Sequence, residues 1–160
     1  MPGDIGIRRS VIVLVGVLAV AVGGVGFASA THSSKQTLRV REAVTSSALV
    51  DVGTSGLSAG DEVIYHLRIR TLAGKPFGVN DAVCTVLTPV SAGVAHCVGT
   101  ARLPRGSLEW AGVLPLRAVR SQFAVSGGTG IYRSAAGQVF ARWTNPPTNT
   151  RALVTVQLVS

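Results

Sequence analysis

The chain has 160 residues, a length that fits one domain. It carries 15 Lys and Arg against 7 Asp and Glu, so its formal net charge at pH 7 is +8. The arginines are scattered, aromatic residues make up 5% of the chain and no nucleic-acid-binding motif occurs, so a nucleic-acid partner is not expected. The simplest interpretation of the positive charge is a basic surface exposed to solvent. Anionic cell-surface material, polymer or lipid headgroup, is the electrostatic partner that such a face would suit.

Residues 1–30 have the pattern of a secretory signal peptide. Arg8 and Arg9 precede an apolar run, and Ala28-Ser29-Ala30 supplies a small-x-small cleavage pattern. The alternative is an uncleaved membrane anchor over residues 8–28, because the apolar run just reaches spanning length. The sequence therefore predicts a secreted or extracytoplasmic protein whose membrane contact, if any, is through this segment.

Residues 31–59 are predicted to form an N-terminal strand and a flexible loop. Within the strand, residues 37–44 alternate in polarity, and residues 45–60 are rich in Ser, Gly and Thr. The apolar side of this strand is assigned to Leu38, Val40 and, more weakly, Ala43, and the polar side to Arg39, Arg41 and Glu42.

Residues 60–160 are predicted to supply the main part of an all-β domain. The clearest strand covers residues 62–72, because Val63, Tyr65, Leu67 and Ile69 alternate with mostly polar residues. Further strands are predicted over residues 79–87, 94–103, 107–113, 121–126, 138–143 and 151–158. Eight short strands joined by turns, with no amphipathic helix after the signal, indicate an antiparallel barrel or sandwich.

Cys84 and Cys97 lie on neighbouring predicted strands. If the turn between these strands is centred between Val90 and Ser91, the two cysteines face each other directly, Thr85 faces His96, and Val83 faces Val98. Directly opposed residues are close enough for a disulfide. An oxidising destination outside the cytoplasm then predicts a Cys84–Cys97 bond.

A glycine-rich turn ends the predicted strand at residues 121–126. The turn reads Gly127-Gly128-Thr129-Gly130 and is followed by Tyr132, Ala135-Ala136 and Gly137. Several glycines together indicate a sharp turn in which positive φ angles are needed. Tyr132 is predicted to fold back as an apolar plug under the returning segment.

This turn resembles the signature hairpin of the allene oxide cyclase and dirigent superfamily. Weaker matches are Gly60-Asp61, Cys84-Thr85-Val86, and Gly99-Thr100 followed by Leu103-Pro104. The resemblance implies an eight-stranded antiparallel β-barrel. It also implies a protein that binds a small apolar molecule and could guide its cyclisation or stereochemistry.

Other chemistries find no support in the sequence. The glycine-rich turn has Arg133 where a dinucleotide-binding motif needs a third glycine, and no acidic residue follows at the expected distance. The three histidines lack metal-ligand spacing, and no Gly-x-Ser-x-Gly motif occurs. We therefore expect no metal and no cofactor. If the protein is an enzyme, we expect an isomerase or cyclase.

Four residues are predicted to contact the ligand: Tyr65, Trp110, Tyr132 and Gln138. Tyr65 would give an apolar cavity one polar handle. Gln138 stands where many relatives have an acidic residue, but an amide cannot act as a general base. Asp61 and Asp81 remain candidate acids, although acids beside turns usually serve as caps.

A second functional hypothesis is a non-catalytic structural or interaction barrel with a filled core, working at the cell surface. The two hypotheses differ in whether the interior holds an accessible apolar cavity. Whether the protein forms a homo-oligomer is left open by the sequence.

Overall fold

The structure is a computed structural model that describes residues 35–88, 93–145 and 148–159. The predicted signal peptide and its alternative, the anchor, lie outside the described residues, as do the centre of the turn at Val90 and Ser91 and the first four residues of the segment 31–59. None of the described residues belongs to a helix long and apolar enough to cross a membrane.

Eight antiparallel strands form a closed barrel, which confirms the predicted fold class. Each strand pairs with the next along the chain, and the last pairs with the first. The strands are β1 (Lys35–Val50), β2 (Glu62–Thr71), β3 (Pro76–Val86), β4 (Val94–Leu103), β5 (Gly106–Pro115), β6 (Arg120–Gly128), β7 (Ala136–Trp143) and β8 (Arg151–Val159).

The core lies inside the barrel because successive side chains of each strand point alternately inward and outward. In β8, Ala152, Val154, Val156 and Leu158 are all buried, and they alternate with residues that are exposed or half-buried. The predicted face of β2 is also confirmed, since Leu67 and Ile69 are buried there. The same period of two therefore decides which residues can reach a site in the interior.

The first strand is longer than predicted, because residues 45–50 continue β1 and are not loop. The pairing with β2 shifts register between Val44 and Ser46, so Thr45 is the extra residue of a β-bulge. Beyond the bulge the pairing resumes and ends where Val50 faces Glu62. The loop between β1 and β2 is therefore confined to residues 51–61.

The predicted disulfide and its register are both confirmed. Cys84 in β3 is bonded to Cys97 in β4. Thr85 faces His96, and Val83 faces Val98, as expected from the same register. Both cysteines are buried in the barrel interior.

The glycine-rich turn joins β6 to β7 through one turn of 3-10 helix, Gly130–Tyr132. Gly130 has a φ of 60°, which confirms that the turn needs a positive φ. At Gly128 the requirement is space instead, since a Cβ there would lie 2.1 Å from the Ser107 carbonyl oxygen. Tyr132 is buried and packs into the core. It lies where the predicted plug would be.

Candidate ligand-binding site

The barrel interior contains a cavity of about 350 Å³. Its wall is mostly apolar, and four of its lining residues are alanines, Ala82, Ala101, Ala141 and Ala152. Larger apolar side chains complete the wall, among them Val63, Leu67, Leu108, Leu114, Phe123 and Val139. An eight-stranded barrel can be filled by side chains or can hold one small ligand, and here small side chains leave room.

Glu42 lines this cavity, which corrects its predicted position on the polar side of β1. Val40 is buried and Val44 lines the cavity, so the inward phase of β1 runs through even-numbered residues and includes Glu42. The prediction was wrong because it grouped Glu42 with its charged neighbours Arg39 and Arg41. The strand period alone pointed to the interior at this position, whereas the charge of the side chain pointed to solvent.

A short hydrogen-bonded chain connects Glu42 to the opposite side of the interior. The Trp110 indole Nε1 donates to Asn80 Oδ1 at 3.0 Å. The Asn80 amide nitrogen in turn donates to the two Glu42 carboxylate oxygens at 3.4 and 3.5 Å. Because the indole occupies the amide oxygen, the amide nitrogen must point toward the carboxyl group. Asn80 is itself buried, so this orientation is held by packing as well.

Burial raises the pKa of Glu42 from 4.5 to about 7, and the hydrogen bond from Asn80 lowers it only in part. The carboxyl group is therefore divided between its neutral and charged forms near neutral pH. A group with such a pKa can give or take a proton at the pH where most proteins work. Of the described residues lining the cavity, Glu42 is the one carboxylic acid, and none is Lys, Arg or His.

Two of the four predicted ligand contacts line the cavity. Tyr65 is one, and burial raises the pKa of its hydroxyl, which therefore stays a hydrogen-bond donor at neutral pH. Trp110 is the other, and its ring packs against Phe123 with the centroids 4.8 Å apart. Their side chains add polar atoms to a mostly apolar wall.

Tyr132 and Gln138, the other two predicted contacts, do not line the cavity. Tyr132 is buried beside the glycine-rich turn. Gln138 is exposed, because it faces Ala124 and Gln157 on the outer surface of the barrel. The position next to it, Val139, is the one that points inward and reaches the cavity.

Asp61 and Asp81, the two candidate acids, also lie away from the cavity. Asp61 is fully buried and accepts hydrogen bonds from the backbone amides of Val52 at 2.7 Å and Ser58 at 2.5 Å. The amide of Val52, followed by that of Ser58, lowers the pKa of Asp61 and keeps it charged. Asp81 faces outward between His66 Nδ1 and Arg102 Nη2. Asp61 therefore stabilises the loop between β1 and β2, and Asp81 belongs to a cluster of polar side chains on the outer surface.

A polar region lies where β7 ends and β8 begins. Ser47, Thr148 and Thr150 line the cavity there. Trp143 Nε1 and Asn149 Oδ1 belong to lining residues too, and both atoms are buried without a hydrogen-bond partner among the described residues. Buried polar atoms are rarely left in this state. One donor and one acceptor are thus available at this end of the cavity.

The barrel has clear structural relatives. A pyocyanin demethylase superimposes with a TM-score of 0.67 and 21% identity, over 77% of this chain and 99% of that one. The exo-specific intermolecular Diels-Alderase AbnU superimposes with a TM-score of 0.64 and 14% identity, over 79% of this chain and 99% of that one. The pterocarpan synthase dirigent protein GePTS1 superimposes with a TM-score of 0.64 and 16% identity, over 79% of this chain and 84% of that one. This chain has the allene oxide cyclase/dirigent-like barrel fold.

Sequence comparison adds no closer relative. No protein-family model matches the chain, and the search of curated proteins finds no match. The likeness to the solved barrels therefore concerns the fold, and the resemblance seen in the glycine-rich turn is confirmed at that level.

Proposed function

We propose that the barrel binds a small, mostly apolar molecule in its interior and guides the cyclisation or stereochemistry of that molecule. The observation that carries this proposal is the cavity of about 350 Å³ with Glu42 in its apolar wall. Cavities of this size and composition are typical of small-molecule sites. Barrels of the same fold include a Diels-Alderase and a dirigent protein, which supports the reaction class.

The wall would act mainly by holding its ligand in one conformation. Confinement of reacting groups in the right geometry lowers a barrier by several kcal/mol without any covalent step. Trp110 and Phe123 provide a rigid aromatic surface for that purpose. The carboxyl group of Glu42 adds one proton donor or acceptor, directed by Asn80, next to the bonds that change.

The charge of the wall restricts the ligand. A carboxylate ligand would meet Glu42 with no described cation lining the cavity to compensate, and like charges in an apolar site repel strongly. A neutral or cationic molecule with a hydroxyl or N–H group avoids this repulsion and satisfies Glu42. We therefore propose a neutral or cationic ligand.

The alternative, a structural barrel with a filled core, is disfavoured by the same cavity. A filled barrel would pack its interior at the density of an organic crystal. Here the four alanines of the wall leave a volume that larger side chains could have occupied. Secretion of the protein stays a prediction.

Binding of the neutral dye Nile red tests the proposal. We expect saturable fluorescence enhancement with the native protein. We expect at least tenfold weaker binding to the Ala101→Phe variant, because Ala101 lines the cavity and a phenyl ring would fill part of it. The matched control is Ala124→Phe, since Ala124 is exposed on the outer surface of β6. Circular dichroism would verify that both variants remain folded.

Equal binding by the two folded variants would contradict the proposal, because the dye would then bind outside the barrel. Native mass spectrometry of the purified protein would complement the dye. A co-purified molecule retained by Ala124→Phe and lost from Ala101→Phe is the expected result.

A further inference from the structure

The outer surface of five adjacent strands carries a concentration of arginines. We call this the arginine face and define it by Arg39, Arg41, Arg68, Arg70, Arg120, Arg142 and Arg151. All seven side chains leave the barrel on its outer side, at positions that alternate with buried residues of β6, β7, β8, β1 and β2. Among the described residues of β6, β7 and β8, no Asp or Glu occurs, and the one acid of β1, Glu42, points inward. The one acid of β2, Glu62, begins that strand and lies six residues before Arg68.

Four of these arginines share one row across the strands. Arg120 faces Arg142, Arg142 faces Leu153, Leu153 faces Arg41, and Arg41 faces Arg70. Neighbouring strands are about 5 Å apart, so the row places positive charges at intervals of roughly 5 to 10 Å. An open groove of about 690 Å³ crosses the same surface, lined by Arg39, Arg120 and Arg142.

This arrangement works against the stability of the isolated barrel. Like charges placed directly opposite each other on adjacent strands are destabilising, and both Arg41–Arg70 and Arg120–Arg142 are such pairs. No carboxylate among the described residues forms an ion pair with any member of the arginine face. The acid that pairs with an arginine, Asp81, is on β3 with Arg102. Arg70 Nη1 donates to the Gly74 carbonyl oxygen at 2.7 Å, a neutral acceptor that leaves its charge uncompensated. The charges of the arginine face can therefore meet an external anion.

We propose that the arginine face binds a flexible linear polyanion. Guanidinium groups form paired hydrogen bonds with phosphate or carboxylate groups, and a row of them matches a chain with regularly spaced charges. The face spans five of the eight strands of a closed barrel, so it curves around more than half of the circumference. A flexible chain can follow that curvature, whereas a flat lipid bilayer touches only part of it. This site is independent of the cavity.

Binding of inorganic polyphosphate, followed by fluorescence anisotropy of a labelled chain over a range of salt concentrations, tests the proposal. The test variant is Arg39→Gln/Arg41→Gln/Arg142→Gln. The control variant, Arg105→Gln/Arg117→Gln/Arg133→Gln, removes the same charge from exposed residues outside the strands. We expect the slope of log Kd against log salt to fall by about 2 to 3 for the test variant and by less than about 1 for the control.

Equal losses in the two variants would overturn the proposal, because net charge alone would then explain the binding. Vesicles of phosphatidylglycerol in phosphatidylcholine provide the second arm, at a matched concentration of accessible negative charge. Tighter binding to these vesicles than to polyphosphate would also overturn it, since the partner would then be a membrane surface. Weaker binding to the vesicles is the expected result.

Discussion

Glu42 places a titratable carboxyl group in the apolar wall of the barrel interior. Its one hydrogen-bond donor in the described structure is the Asn80 amide, at a distance longer than that of a strong hydrogen bond. The charged form is therefore poorly compensated, and the pKa rises to about 7. A carboxyl group with a pKa shifted in this way is a common feature of functional sites.

The pH dependence of the free energy of unfolding should report the raised pKa of this carboxyl group directly. In the unfolded chain Glu42 loses its proton near pH 4.5, and in the folded protein near pH 7. Between these values the folded state binds more protons than the unfolded state, so the free energy of unfolding falls as pH rises. Substitution Glu42→Gln removes this slope. We expect the variant to gain up to about 3 kcal/mol relative to the native protein between pH 4 and pH 8.

Urea unfolding at a series of pH values measures this effect. Glu109→Gln is the control, because Glu109 is exposed on the outer surface of β5, where it accepts a hydrogen bond from the Thr100 hydroxyl. A Glu42→Gln profile parallel to that of the native protein would show that the carboxyl group is not desolvated.

The residue-scale predictions from sequence succeeded where geometry follows from register. Cys84 and Cys97 could be paired because a single turn position sets every partner along two strands. Glu42 could not be recognised in the same way, because its charge suggested solvent and its strand phase suggested the interior. Only the closure of the barrel decides between the two, and that depends on contacts with β2 and β8 that are remote in sequence.

At the scale of elements, the glycine-rich turn is held against the β4–β5 turn by backbone hydrogen bonds. Thr129 N donates to Ser107 O at 2.9 Å, and Ile131 N donates to Arg105 O at 3.1 Å. The close approach of the two backbones is possible because Gly128 has no Cβ. The turn therefore fixes both the end of the barrel and the position of Tyr132.

Gly128→Ala should destabilise the protein more than Gly127→Ala does. A Cβ at Gly128 would lie 2.1 Å from the Ser107 carbonyl oxygen, whereas a Cβ at Gly127 would have no heavy atom within 4 Å. Gly127 has a φ of 154°, so its substitution costs about 1 kcal/mol in backbone strain. We expect a loss of about 2 to 3 kcal/mol for Gly128→Ala, measured by urea unfolding. Equal losses would show that the two backbones can move apart.

Element boundaries were predicted best where turn residues punctuate the chain. The predicted strand 94–103 agrees with β4 because Pro104 and Gly106 end one strand and begin the next. Residues 45–50 were predicted to be loop because Ser and Thr lack a clear alternation there. They form a strand because the bulge at Thr45 restores pairing with β2.

At the scale of the whole molecule, the barrel could be predicted from the number of strands and the glycine-rich turn, but the cavity could not. Whether eight strands enclose a space depends on the summed volume of the inward side chains. Ala82 and Ala101 lie on β3 and β4, and Ala141 and Ala152 lie on β7 and β8, so the four line one cavity only after the barrel has closed. The arginine face could not be predicted from the sequence either, because its members come from five strands and are scattered along the chain.

The central claim is that the interior of the barrel binds a small molecule, and the two tryptophans offer a direct measurement. Trp110 and Trp143 are the two Trp residues of the chain, and both line the cavity. Their indole N–H groups give separate signals in a two-dimensional nitrogen–proton NMR spectrum. Titration with a neutral apolar alcohol, 1-naphthalenemethanol, should shift both signals saturably and leave the amide of exposed Ala124 in place. Unchanged indole signals, or shifts confined to the outer surface, would contradict the account.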